Sequence, residues 1–276
     1  MPYFHHKGIQ IHYVDVSSSA IELQRPPLIL IHGAGSSHIS WALQLRDLSS
    51  TNRTIAIDLS GHGKSDDVEG NVSLEETYSL EVAALVEHLE LNDFILVGHS
   101  MGGGVAMSYC LNDSLPPPKA LVLVDTSPVL ELSKLALGLV KEAIEDRFFL
   151  FKSQFFEDYT DTYMIKELEN RIRRANPGVL QRDLAVCDKF NISDRVHDIR
   201  APTLVLVGEH DDIIRPKMAE ILWSDLPNAE LAIVSGANHA PMIEQPDEFN
   251  RLLRDFLTWV EKNAKTKQAS SDGTLV

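Results

Sequence analysis

Residues 94–107 run Phe94-Ile95-Leu96-Val97-Gly98-His99-Ser100-Met101-Gly102-Gly103-Gly104-Val105-Ala106-Met107. The four apolar residues Phe94–Val97 predict a buried strand, and the small residues after Met101 predict the start of a helix. Between them lies a G-x-S-x-G, in which glycines flank the serine where a side chain would collide in a very sharp strand-to-helix turn. Such a turn exposes the Ser100 hydroxyl at a helix N-terminus, where backbone N–H groups favour developing negative charge.

Working outward from this turn, short apolar β-branched runs recur at Ile9–Val16, Leu28–Ile31, Thr54–Asp58, Ala120–Val124, Thr203–Val207 and Glu230–Val234. Most are apolar throughout, as strands buried on both faces of a parallel sheet must be. Ile9–Val16 alternates more and reads as an antiparallel edge. Helical patterns at Ser40–Leu48, Ser73–Leu89, Met101–Leu111, Lys217–Asp225 and Pro246–Lys262 separate the runs. This alternation predicts an α/β fold, a doubly wound and mostly parallel sheet with right-handed crossovers.

Residues 129–195 interrupt the alternation. They read as amphipathic helices, with Leu130–Ile144, Phe148–Asp158 and Met164–Ala175 as candidates and Asn176-Pro177-Gly178 as a break. An insertion leaving the C-terminal end of a strand lies over the crevice where open α/β sheets bind ligands. The expected organisation is therefore a core of residues 1–128 and 196–264, a helical cap of residues 129–195, and a disordered tail of residues 265–276. The cap aromatics Phe148, Phe149, Phe151, Phe155, Phe156, Tyr159 and Tyr163 are expected mostly to pack cap against core. Arg171, Arg173 and Arg174 read as a solvated helix face, or as a clamp for an acidic substrate.

A serine is a poor nucleophile until a positioned base takes its proton. Thr203–Val207 runs into Gly208-Glu209-His210-Asp211-Asp212, and Glu230–Val234 into Ser235-Gly236-Ala237-Asn238-His239. Both loops leave strand ends on the sheet edge that carries the Ser100 turn, so Ser100, Asp211 and His239 can converge. His239 is the expected base, and Asp211 the acid that fixes its tautomer. Asp212, next in sequence, and Asp125, at the end of Ala120–Val124, are the alternative acids. Leu28–Ile31 enters His32-Gly33-Ala34-Gly35-Ser36-Ser37, whose backbone can supply an oxyanion donor at Ala34, paired with the Met101 N–H. Gly33, His38 and Trp41 are candidate pocket residues, and His210 a candidate rim residue. His99 is expected to be buried and hydrogen-bonded. His5, His6, His12, His88 and His197 read as surface or packing residues.

Net charge is −15 over 276 residues, which repels nucleic-acid phosphate and anionic lipid. Cys110 and Cys187 form no CxxC pair, so both read as buried thiols in a reducing compartment. The start lacks a signal-peptide core, and no apolar run reaches the roughly 18–20 residues of a membrane helix. A cytoplasmic protein is the expectation. Neither a metal nor a cofactor is expected, because no His, Cys or carboxylate spacing suits a metal and the phosphate-loop patterns are missing. The partner expected is a small-molecule ester, with no nucleic acid and no membrane.

The chain resembles the α/β-hydrolase superfamily in its lidded esterase, lactonase and C–C hydrolase branch. The resemblance rests on His32–Gly35, Asp58-Leu59-Ser60-Gly61-His62-Gly63-Lys64-Ser65, Gly98–Gly103, Gly208–Asp211 and Asn238-His239. It implies a helical cap after the sixth strand and a structural turn at Asp58–Ser65, in which His62 has no chemistry. It also implies a serine hydrolase, most simply a carboxylesterase acting on small to medium acyl esters. The alternatives are an enol-lactonase or thioesterase, a C–C bond hydrolase of vinylogous diketones, a cofactor-free perhydrolase, and a ligand receptor that has lost turnover. C–C hydrolases of this branch usually carry Asn before the nucleophile, where this chain has His99.

Overall fold

The structure is a computed structural model that describes residues 2–18, 25–130 and 177–272. Its strands are β1 (Tyr3–His6), β2 (Ile9–Val16), β3 (Leu28–Ile31), β4 (Thr54–Ile57), β5 (Ile95–His99), β6 (Ala120–Val124), β7 (Thr203–Gly208) and β8 (Ala229–Val234). They form one sheet of eight strands in the order β1-β2-β4-β3-β5-β6-β7-β8. From β4 to β8 every pairing is parallel, while β1 on β2 and β2 on β4 are antiparallel. Ile9–Val16 is thus antiparallel as its alternation indicates, but β1 covers it and takes the edge.

Every residue of β3, β4, β5 and β6 is buried, which explains why these strands read as continuous apolar runs. Their alternate residues serve two layers. Ile29, Ile31, Leu96 and Leu121 face one core, and Leu28, Leu30, Val97 and Val122 the other. Helices α2 (Ser79–His88), α3 (Met101–Cys110) and α5 (Pro216–Asp225) cover the first layer through residues such as Val82, Val105 and Leu222. Helices α1 (Ala42–Leu48) and α6 (Pro246–Asp272) cover the second through Leu45, Phe249 and Leu253. A π-helical turn, Leu74–Tyr78, opens α2, and the Ser73 hydroxyl caps the Glu76 N–H at 3.0 Å.

Two boundaries differ from the sequence reading. The sequence reading puts no helix after the break at Asn176-Pro177-Gly178, but Pro177 begins helix α4 (Pro177–Cys187), because proline lacks only an N–H that the first helical turn leaves unpaired anyway. Helix α6 runs to Asp272, past the Lys262 at which the sequence reading ends it. Residues 131–176 lie outside the described residues. With them go the candidate helices Leu130–Ile144 (beyond Leu130), Phe148–Asp158 and Met164–Ala175, the seven cap aromatics, and Arg171, Arg173 and Arg174. Among the described residues no helix is long and apolar enough to cross a membrane.

Candidate active site

The parallel strands all end on one edge of the sheet, and the loops that leave β3, β5, β6, β7 and β8 there carry the site. Ser100 joins β5 to α3 with φ 52 and ψ −118, a left-handed backbone that an L residue adopts only under constraint. The close approach of β3 supplies that constraint. A Cβ on Gly102 would collide with the Ile31 carbonyl oxygen, so only glycine lets α3 start this near the sheet.

The Ser100 Oγ lies 3.1 Å from Nε2 of His239, on the loop after β8. The other ring nitrogen, Nδ1, lies 2.8 Å from Asp211 Oδ2, on the loop after β7. Asp211 Oδ1 accepts the N–H groups of Ile213 and Ile214 at 2.8 and 2.9 Å. Burial would raise the Asp211 pKa, but His239 and these N–H groups hold it below the usual carboxylate range. The structure thus brings Ser100, His239 and Asp211 into one hydrogen-bonded line. Asp212 points outward and is exposed.

Asp125, the other alternative acid, is fully buried at the end of β6, at φ 44. Its Oδ1 accepts the Gly208 N–H at 2.8 Å, and its carboxyl meets that of Asp211. Burial first and the Asp211 charge second push its pKa well above the ordinary value. Two adjoining buried carboxyls cannot both ionise cheaply, and Asp211, which has the imidazole and two N–H donors, keeps the charge. Asp125 is the member that burial and the Asp211 charge push toward the protonated form.

His99 stands beneath His239. Its Nε2–H donates to the His239 carbonyl at 2.7 Å, and its ring packs edge-on against Trp41. Burial lowers its pKa to about 3, so the ring stays neutral. A Cβ on Gly33 would come within 2.9 Å of His99 Nδ1 and 3.3 Å of Ser100 Cβ, which places the β3–α1 loop against the nucleophile turn. Among the described residues, no acceptor takes the backbone N–H of Ala34 or of Met101. Trp41 is fully buried in the layer under α1 and α6, against His99 and Phe249, and presents no surface to a pocket open to solvent. His38 turns away to Asp58, reaching its two carboxylate oxygens at 2.8 and 2.9 Å.

Asp58 is fully buried and also accepts from His12 Nδ1 at 2.7 Å, His38 N at 2.7 Å and Lys64 N at 3.1 Å. Burial opposes its charge, but His12 and His38 overcome that and hold the carboxyl far below the usual range. The cluster of His12, His38 and Asp58 has a metal-like composition. Its nitrogen–oxygen separations are those of hydrogen bonds, and these account for the geometry without an ion.

Sequence reasoning passed over a second buried polar network. On α4, Asp183 Oδ2 accepts the Gly35 N–H at 2.8 Å and lies 2.7 Å from His62 Nε2. Its Oδ1 accepts the Tyr78 hydroxyl at 2.8 Å. Arg182 beside it reaches Asp67 at 2.6 Å and the Ser60 carbonyl at 3.0 Å. The partners of Asp183 lie up to 148 residues away in the chain, so no local pattern marks it.

A family model described as "Alpha/beta hydrolase family" matches residues 28–252. A 2-hydroxy-6-oxononadienedioate/2-hydroxy-6-oxononatrienedioate hydrolase of Paraburkholderia xenovorans is 28% identical over 271 residues, which cover 90% of this chain and 91% of the relative. A solved structure of a thermophilic esterase is 30% identical with a TM-score of 0.76, covering 94% of this chain and 97% of that one. The enol-lactonase from Burkholderia xenovorans superposes with a TM-score of 0.79 at 21% identity, over 93% of this chain and 100% of that one, a likeness of fold.

Proposed function

The chain belongs to the alpha/beta hydrolase family, and on that premise we propose that it is a serine hydrolase cleaving small to medium acyl esters through an acyl-enzyme on Ser100. The observation that carries this reading is the line from Ser100 Oγ to His239 Nε2 and from His239 Nδ1 to Asp211 Oδ2, at 3.1 and 2.8 Å. These are the contacts that general-base activation of a hydroxyl requires.

In the first step Ser100 Oγ attacks the ester carbonyl while His239 Nε2 takes its proton. The oxyanion is held by the Ala34 and Met101 N–H groups, which no protein acceptor among the described residues uses. The carbon–oxygen bond to the alcohol breaks, and the alcohol leaves with the proton from His239. Water, deprotonated by His239, then attacks the acyl carbon, and the acid leaves as the bond to Oγ breaks and His239 returns the proton to Oγ. Asp211 stays ionised and stabilises the imidazolium. In this reading the insertion between β6 and β7 selects the acyl group.

The choice of esters is supported by the likeness to the thermophilic esterase and by His99, which stands where C–C hydrolases of this branch usually carry Asn. The test is hydrolysis of p-nitrophenyl esters from C2 to C12 by wild type beside Ser100→Ala. Fast turnover of short esters that vanishes in the variant is expected. A folded wild type that cleaves none of them overturns the ester reading and leaves lactones and vinylogous diketones as the substrates to try.

A further inference from the structure

The loop that carries Ala34 is held from outside the core. Gly35, its next residue, has φ 63, and its N–H points to Asp183 Oδ2 on α4, the helix by which the insertion returns to the sheet. The same helix closes over the glycine, because a Cβ on Gly35 would lie 2.7 Å from Leu180 Cδ1. Gly35 is therefore fixed by one charged acceptor and one packing contact, both from α4.

The charge of Asp183 is balanced by the geometry around His62. The His62 ring is buried with both nitrogens on acceptors, Nδ1 at 3.0 Å from the Ser60 carbonyl and Nε2 at 2.7 Å from Asp183. A carbonyl and a carboxylate can only accept, so both nitrogens must carry protons and the ring is an imidazolium. The neighbouring His32 ring, at a centroid distance of 4.6 Å, is arranged differently. Its Nδ1–H donates to the Gly33 carbonyl at 2.8 Å and its Nε2 accepts the Leu59 N–H at 3.2 Å, so it is complete when neutral. One cation and one anion thus sit side by side under the loop, with the Tyr78 hydroxyl as a further donor to the anion.

We propose that Asp183 is a positioning residue for the oxyanion loop: its carboxylate, paired with the His62 imidazolium, holds the Gly35 N–H and thereby fixes the backbone that presents the Ala34 N–H. This rests on the reading of Ser100 as nucleophile and Ala34 as oxyanion donor. It gives the insertion a part in catalysis beyond shaping the pocket, because α4 supplies the anchor. Asp183 does not touch the reacting atoms; it acts through Gly35.

The test compares Asp183→Asn and His62→Gln with wild type and Ser100→Ala. Three readouts are taken: p-nitrophenyl acetate kinetics, the Ki of phenylboronic acid, and amide exchange at Gly35. Phenylboronic acid forms a tetrahedral adduct on a serine and so reports oxyanion holding. In Asp183→Asn, kcat should fall 10- to 100-fold with KM within about two-fold, and Ki should rise by the same factor as kcat falls. Gly35 exchange should quicken at least 10-fold while that of β3 does not change. A merely structural loss lowers the fraction of active enzyme and leaves Ki where it was, which would overturn the proposal.

If Asp183→Asn does not fold, His62→Gln carries the test, with the same pattern expected at smaller amplitude. Unchanged Gly35 exchange in a folded variant overturns the proposal whatever the activity. Wild type without Ser100-dependent turnover sinks the hydrolase reading, and the positioning role falls with it. Ser100-dependent wild-type turnover matched by Asp183→Asn sinks only the positioning role.

Discussion

The imidazole of His99 holds the backbone of His239: its Nε2–H donates to the His239 carbonyl at 2.7 Å, from a position directly before the nucleophile. The residue that precedes the serine therefore locates the base. Because the His99 ring is neutral, with a pKa lowered to about 3 by burial, the contact does not titrate over the working range.

His99→Ala removes the donor and leaves a partly buried carbonyl without its partner, at a cost of roughly 1–3 kcal/mol. Part of that cost appears as a misplaced His239, so kcat for p-nitrophenyl acetate should fall about 10-fold or more, the rate equivalent of roughly 1.4 kcal/mol. His99→Asn can still offer an N–H and should recover part of the loss. If His99→Ala keeps wild-type kcat, the ring is a packing residue only.

The two carboxyls behind His239 separate by their opposite pKa shifts. Asp211→Asn should lower kcat by about 10⁴, as loss of the acid leaves the imidazole in the wrong tautomer. Asp125→Asn should keep activity within several-fold, since an amide reproduces the shape and the hydrogen-bonding capacity of a protonated acid, and asparagine tolerates the left-handed φ of 44. It should also raise stability at neutral pH. A raised folded pKa means that deprotonation of the unfolded chain above about pH 4 works against folding, and the amide removes that penalty. The reverse order of activities, with Asp125→Asn inactive and Asp211→Asn active, would make Asp125 the acid.

Strain at the nucleophile gives a prediction about stability. A non-glycine residue held in a sparsely populated backbone region costs of order 1–3 kcal/mol, and glycine at the same place loses roughly 0.5–1 kcal/mol more chain entropy on folding. Ser100→Gly should therefore unfold at higher denaturant than Ser100→Ala, by about 1 kcal/mol, although both are inactive. Equal unfolding midpoints would mean that φ 52 at Ser100 stores no energy. Gly102→Ala should do the opposite and destabilise the fold, because the new methyl meets the Ile31 carbonyl, a backbone atom that cannot step aside.

What the sequence shows and what it hides follow from how far each contact reaches. Strands β3 to β6 announce themselves because both faces are buried. Ser100 and Asp211 each follow such a strand, and His239 follows β8, whose sequence is a largely apolar run although only Val234 of it is buried. β1 hides, since only Phe4 of Tyr3–His6 is buried and two histidines break the apolar run. Trp41 and His38 follow the oxyanion loop closely, but the short helical turn His38–Trp41 carries one side chain to Asp58 and the other under His99. Spacing alone does not reveal that rotation. Asp183 is the extreme case, an ordinary helix carboxylate until the fold sets it beside Gly35 and His62.

The His62–Asp183 pair should impose a bell on stability against pH. Burial opposes both charges, but their mutual attraction prevails, so the His62 pKa is raised and that of Asp183 is lowered. The groups facing His62 are Asp183 and Arg182 from α4, His32 from the oxyanion loop, and Tyr78 and Glu81 from the segment around α2. A His with a raised folded pKa stabilises fully below its unfolded value and loses that contribution as pH rises through the folded one. A carboxyl with a lowered folded pKa stabilises above its unfolded value and loses the contribution as pH falls through the folded one. The contribution of the pair is thus complete between about pH 4 and 6.5, the two unfolded values, and declines on either side. Denaturant midpoints from pH 3 to 10 should show a larger gap between wild type and Asp183→Asn inside that window than at pH 10. A gap that does not vary with pH would show that Asp183 acts there by packing and not by charge.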